Sequence, residues 1–293
     1  MIRRVSFAGL SRAALDAQLS PSRSAKDPWG VLARHEAETA AAMGAPGMVA
    51  VRDLAHGPAP RARLDILRPA GPGAFPCLAH VHGGFWQEGG KAGSGFAARV
   101  LAARGWAMAA IGYTLAPEAG LPAIIAEIAG ALAFLAREGP AHGIDARRIV
   151  ISGHSAGAHL AAAMLAGLGG AQAAALPCGA VLVSGVYDLA PVAASYVNDL
   201  VGITPAQTDA LSPLLFPPRH QVPVHLLVGA DEPEAFLLQT EALARAWGPL
   251  LPGLTVHRAP GRDHFDVLDE LADPGSPSFR ALMAMAPAGA RPD

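Results

Sequence analysis

The chain has 293 residues, of which 52% are hydrophobic and only 16% charged, with a formal net charge of -2. So much apolar material suits one large core-forming domain and excludes a disordered, solvating chain. The near-neutral balance and the lack of a basic run argue against a nucleic-acid partner, and no apolar stretch is long enough to span a membrane.

Arg3 and Arg4 open the chain, but Ser11, Arg12, Asp16 and Gln18 interrupt the apolar residues after them, so the start does not read as a signal peptide. The expectation is a cytoplasmic protein that acts on or binds a small molecule, with no nucleic-acid or membrane partner; a homodimer is compatible with the sequence. Residues 1–47 are helical in character but polar, and Pro21, Pro28 and Pro46 break them into pieces such as 13–19 and 29–43. They read as a lid or a wrapping layer on a single domain covering 1–293. The two cysteines, Cys77 and Cys178, lie in or beside predicted strands and read as small apolar residues, not as a disulfide framework.

Strands and helices then alternate. Residues 49–54 and 63–67 read as a short hairpin, and 76–81 as an apolar strand ending at His82-Gly83-Gly84. A helix at 97–104 and a strand at 106–111 come next. The segment 122–137 repeats Ile124, Ile125, Ile128, Leu132 and Leu135 at helical spacing. A buried strand at 149–151 leads into Ser155, and 156–165 reads as a packed helix. Further strands fit at 180–184, 224–228 and 255–258, and helices at 234–247 and 278–285. The proline-rich stretch 191–221 is the longest irregular insertion and falls where a partial cap would sit. This alternation predicts an α/β fold with a mostly parallel sheet, right-handed crossovers and helices on both faces. Such sheets place their chemistry at the carboxyl ends of the strands.

Four features fall at those ends. Ser155 stands in Gly153-His154-Ser155-Ala156-Gly157, between a strand and a helix. That spacing lifts a nucleophile onto a sharp turn whose flanking positions come too close to neighbours to carry side chains. His264 follows the last strand, Asp231 follows the strand before it, and His82-Gly83-Gly84-Phe85-Trp86 follows an early one. The order Ser…Asp…His is that of a nucleophile, an orienting acid and a base on a sheet of this kind. A serine hydroxyl needs a base to take its proton, and histidine suits the task because it titrates near neutrality. Asp231 is the expected acid, with Glu232 and Glu234 in the same loop as its rivals. Gly83 and Gly84, with the amide of Ala156, are the expected oxyanion donors. Phe85 and Trp86 either wall an apolar slot for substrate or pack inward as core. His257, inside the last strand, reads as structural. His154 and His159 have no glutamate in metalloprotease position, so no metal and no cofactor is expected. Gly89-Gly90-Lys91 lacks the first glycine of a phosphate loop at its proper place.

These residues resemble a known family. The pattern is similar to the α/β-hydrolases, and the His-Gly-Gly loop is similar to their hormone-sensitive-lipase and esterase branch. More specifically the chain resembles the kynurenine formamidases (arylformamidases), through His82-Gly83-Gly84-Phe85-Trp86-Gln87, Gly153-His154-Ser155-Ala156-Gly157-Ala158-His159-Leu160, Val183-Ser184-Gly185-Val186-Tyr187-Asp188-Leu189, Asp263-His264-Phe265 and Gln18-Leu19-Ser20-Pro21-Ser22. Phe85 stands where tyrosine is commoner, and the Asp231 loop aligns only with a one-residue shift. The resemblance implies cofactor-free hydrolysis of N-formyl-L-kynurenine to L-kynurenine and formate, a step of tryptophan catabolism, with Ser155 as nucleophile, Asp231 as acid and His264 as base. N-formylanthranilate-type amides belong to the same expected class. The alternatives are a short-acyl carboxylesterase and a catalytically silent fold that binds a ligand.

Overall fold

The computed structural model describes residues 4–7, 9–170, 177–219 and 221–286. Within the N-terminal extension, residues 1–3 and 8 therefore lie outside the described residues.

One sheet of eight strands organises the chain: β1 (Met48–Ala55), β2 (Arg63–Pro69), β3 (Phe75–Val81), β4 (Ala107–Ile111), β5 (Ile144–His154), β6 (Gly179–Val183), β7 (Val224–Gly229) and β8 (Leu254–Ala259). Their spatial order is β1-β2-β4-β3-β5-β6-β7-β8. β1 and β2 are the expected hairpin, and β2 meets β4 antiparallel; every other pairing is parallel. β5 begins five residues earlier than its apolar run, because its polar first half still pairs with β3 at Phe75↔Ile144.

Alternation along the strands divides the apolar residues between two cores. Ala79, Ile151 and Leu182 face one side, where α4 (Leu121–Arg137), α5 (Ala156–Leu165) and α9 (Glu234–Trp247) pack with Ile128, Leu160 and Phe236. Leu78, Val150 and Val181 face the other, against Leu101 of α3 (Ala98–Ala102) and Phe279 and Leu282 of α10 (Pro277–Met285). Helices thus cover both faces of a mostly parallel sheet, the α/β-hydrolase architecture expected from the sequence.

The N-terminal pieces form α1 (Arg12–Gln18) and α2 (Pro28–Met43). Each starts at a side-chain cap, Ser11 accepting from the Ala14 amide and Asp27 from the Gly30 amide. The stretch read as irregular contains α6 (Ala190–Ala193), α7 (Asn198–Val201) and α8 (Pro205–Ala210). These are too short for a periodic pattern to reveal them, although α8 carries a full capping box between Thr204 and Gln207. Cys77 is buried, Cys178 is half-buried, and both are free thiols.

Candidate active site

Ser155 sits at the joint of β5 and α5 with φ +54° and ψ -117°, a backbone region that L-residues rarely occupy. The joint is tight on both sides. A methyl group on Gly153 would strike the Gly157 carbonyl, and one on Gly157 would strike the carbonyls of Val81 and His82. This is the steric demand that the Gly-x-Ser-x-Gly spacing announced. Five non-glycine residues among those described have positive φ, and four of them, Phe85, Trp86, Ser155 and Ser184, follow the carboxyl ends of β3, β5 and β6. Strain of this kind persists where surrounding structure holds it, commonly at functional sites.

His264 lies past β8 and is buried, as Ser155 is. Its acid partner differs from the expected one. Nδ1 of His264 is 2.6 Å from Oε2 of Glu232, whose side chain is fully sealed from solvent. Oε1 of Glu232 accepts from the Ser184 hydroxyl at 2.5 Å and from the Gly229 amide at 2.6 Å. Asp231 is turned outward, with its carboxylate 3.3 Å from the Lys26 ammonium and half exposed. The cause is the turn after β7. The Ala230 amide donates to Ala259 and the Asp231 amide to Arg262, which pins this short segment against the β8 loop and leaves the next side chain, Glu232, pointing inward. Glutamate's extra methylene spans the remaining distance. Glu234 stands exposed in the first turn of α9. Asp263 is not behind the ring either: it accepts the amides of Lys26, Phe265 and Asp266 and shapes the loop that carries His264. His257 is inside β8, 3.5 Å from Glu270, and takes no part.

The loop after β3 is tied back by its carbonyls. His82 Nδ1 is 2.8 Å from the Gly83 carbonyl, and the Tyr113 hydroxyl donates to the carbonyls of His82 and Gly83 at 3.1 and 3.3 Å. The two rings stack at 4.2 Å. In a trans peptide the following N–H points opposite to the carbonyl, so the Gly83 and Gly84 amides face away from Tyr113. Neither amide, nor that of Ala156, donates to another described residue. Gly83 lies against Ser155: a methyl there would stand 3.1 Å from Ser155 Cβ. Gly84 has φ +98°, and a methyl on it would strike the Glu88 carbonyl. Burial pushes the His82 imidazole down to about 4, so it is neutral at physiological pH.

Phe85 and Trp86 part company. Phe85 is half-buried and lines the cavity. Trp86 is fully buried, packs edge-on against His159 at 5.0 Å, and does not reach the cavity. Its assignment to substrate binding is therefore corrected: with consecutive positive φ values the chain turns the two rings to different sides, and the larger enters the core.

The cavity holds about 370 Å³ and contains Ser155, His264, Gly83 and Gly84. Pro21, Ser22, Trp29, Leu32 and Glu36 of the N-terminal extension wall it, with Tyr196 from the segment between α6 and α7. Trp29 is 67% exposed although it belongs to a cavity wall, which places it at the mouth. Among the described residues no lysine or arginine side chain lines the space, whereas Glu36 and Glu88 do, and neither carboxylate has an ion pair there. These wall residues escaped the sequence reading because nothing in a lone Trp29 or Tyr196 marks it as facing a pocket.

The BD-FAE family model matches residues 64–243, more than half of the chain. The chain belongs to the BD-FAE family. Among curated relatives of this BD-FAE member, a kynurenine formamidase of Danio rerio is 28% identical over 80% of this chain and 80% of its own length. That of Salmo salar is 29% identical over 72% of this chain and 73% of its own. The solved structure of a candidate thioesterase from silicibacter sp. tm1040 superposes with a TM-score of 0.80 at 28% identity, covering 92% of this chain and 98% of the other. Family, relatives and fold together make this chain an α/β-hydrolase enzyme, a hydrolase. No helix among the described residues is long and apolar enough to cross a membrane.

Proposed function

We propose that the chain is a serine hydrolase of small aryl N-formamides, cleaving N-formyl-L-kynurenine to L-kynurenine and formate without a cofactor. The observation that carries this reading is the sealed His264–Glu232 pair at 2.6 Å in the cavity that also holds the strained Ser155; the formamidase relatives supply the substrate class.

The chemistry follows from proton positions. Glu232 accepts from Nδ1–H of His264, which leaves Nε2 as the basic nitrogen. Ser155 Oγ attacks the formyl carbon while Nε2 takes its proton. Glu232 stabilises the imidazolium, and the amides of Gly83, Gly84 and Ala156 stabilise the oxyanion. The positive end of α5 adds to the same field. His264 then returns the proton to the anilide nitrogen as the C–N bond breaks, and the amine leaves. Water attacks the formyl-serine with His264 again as base, and formate departs as Ser155 regains its proton. Phe85 offers the departing ring an apolar wall.

One observation favours a second reading, a short-acyl esterase: the likeness to a candidate thioesterase over nearly the whole chain. The deciding experiment measures kcat/KM on matched formyl, acetyl and butyryl amides and esters of one arylamine and one phenol, with Ser155→Ala as the blank. A formamidase prefers formyl over acetyl by tenfold or more. A rise from formyl to butyryl would replace the formamidase reading with the esterase.

A further inference from the structure

His154 occupies the variable position before the nucleophile, where a side chain has no necessary part in the chemistry. Its Nε2 lies 2.7 Å from the carbonyl of His264, and its ring is 4.6 Å from that of His264. A carbonyl only accepts, so His154 carries its proton on Nε2 and keeps it there. Burial, reinforced by the nearby His264, holds His154 well below the usual histidine range, so it does not compete for the serine proton. This is the only hydrogen bond that the His264 carbonyl receives among the described residues, and His264 itself lies in neither helix nor strand. On its other side, Nδ1 of His154 abuts Gly83: a methyl on Gly83 would stand 3.0 Å from it.

We infer that His154 is a positioning residue, whose Nε2–H fixes the backbone of the base His264 while its ring seats Gly83 beside Ser155. The inference rests on the proposed triad of Ser155, His264 and Glu232. Asp263 shapes the loop, but His154 supplies the one side-chain bond to the backbone of the base itself among the described residues, and small displacements of reacting groups cost rate steeply. One neutral imidazole spans two parts of the site, the base and the oxyanion loop, and ties both to the strand that carries the nucleophile.

The test compares His154→Phe, which fills the space without a donor, with His154→Gln, whose amide nitrogen reaches the depth of Nε2 and donates. Four quantities are read on folded protein: kcat, KM, the rate of Ser155 labelling by a fluorophosphonate, and the downfield proton resonance of the His264–Glu232 hydrogen bond. His154→Phe should lower kcat and the labelling rate by about 30- to 100-fold, leave KM within about threefold, and shift or broaden that resonance. His154→Gln should recover most of the rate and the resonance. Wild-type labelling rates in folded His154→Phe, or a His154→Gln as slow as His154→Phe, would overturn the inference. Absence of Ser155 labelling in the wild type would instead remove the triad, and this inference with it.

Discussion

Nδ1 of His264 and Oε2 of Glu232 stand 2.6 Å apart with both side chains buried, while Asp231, one residue earlier, holds the Lys26 ammonium at the surface. Two adjacent carboxylates thus have separate tasks, and substitution distinguishes them. Glu232→Gln presents an amide to Nδ1 and favours the wrong tautomer, so kcat should fall by roughly three to four orders of magnitude. Asp231→Asn removes only an exposed ion pair and should change kcat by less than about threefold. Steady-state kinetics on both variants decide the assignment; an Asp231→Asn loss as large as that of Glu232→Gln would reverse it.

Trp86 belongs to the core, so its truncation should appear in stability. Trp86→Ala should destabilise by about 3–5 kcal/mol, read as a lowered urea midpoint. Phe85→Ala, at the cavity wall, should raise KM for aryl substrates with a much smaller stability change. A Trp86→Ala protein of normal stability and raised KM would return that residue to the substrate site.

Much of the site was legible because its signals are steric and local. The glycines at 153 and 157 are demanded by carbonyls that leave no room for a methyl, so they show in any sequence with this elbow. Which carboxylate reaches His264 was not legible. Asp231 and Glu232 both follow β7, and the choice between them depends on two backbone bonds, to Ala259 and Arg262, made by the end of β8 and the loop beyond it. The two fates of Phe85 and Trp86 were hidden for a similar reason: consecutive positive φ values are set by the Gly84 turn and its neighbours, and residue type does not report them. The central strands were readable, since parallel strands buried on both faces are continuous apolar runs, whereas the polar first half of β5 carries no such signal.

On the proposed formamidase reading, the cavity's charge predicts a preference within aryl formamides. With no ion pair to Glu36 or Glu88 and no lysine or arginine in the lining among the described residues, an ammonium-bearing ring should be favoured over a carboxylate-bearing one. On matched formanilides, the cationic compound should have the higher kcat/KM, and the gap should narrow with added salt and in Glu36→Gln/Glu88→Gln. N-formylkynurenine carries an ammonium group beside its carboxylate and should be turned over well, whereas N-formylanthranilate, with the carboxylate alone, should be poor. An unchanged preference in the double variant would remove the glutamates from substrate choice.

Acid should unfold the protein earlier than its carboxylates alone would require. Burial lowers the imidazole of His80 to about 3 and those of His82, His159 and His225 to about 4. Each is neutral when folded and takes up a proton near pH 6.5 once unfolded. Their contribution to stability is therefore complete above pH 6.5 and is lost as the pH falls toward 4, each adding up to about 1.4 kcal/mol per pH unit. Urea midpoints at pH 7, 6 and 5 should fall steeply, and His159→Phe should flatten the decline. A flat profile over that range would contradict the buried neutral histidines.

The cavity wall draws on Pro21, Ser22, Trp29, Leu32 and Glu36, a single N-terminal stretch that precedes the segment matching the family model, whereas Ser155, Glu232 and the wall residues Phe85, Glu88 and Tyr196 lie within it and His264 beyond it. Part of the cavity wall is thus encoded apart from the sheet on which Ser155 stands. Exchanging that stretch between relatives amounts to changing a cartridge over a fixed engine, and libraries aimed at new arylamine substrates should concentrate their diversity there.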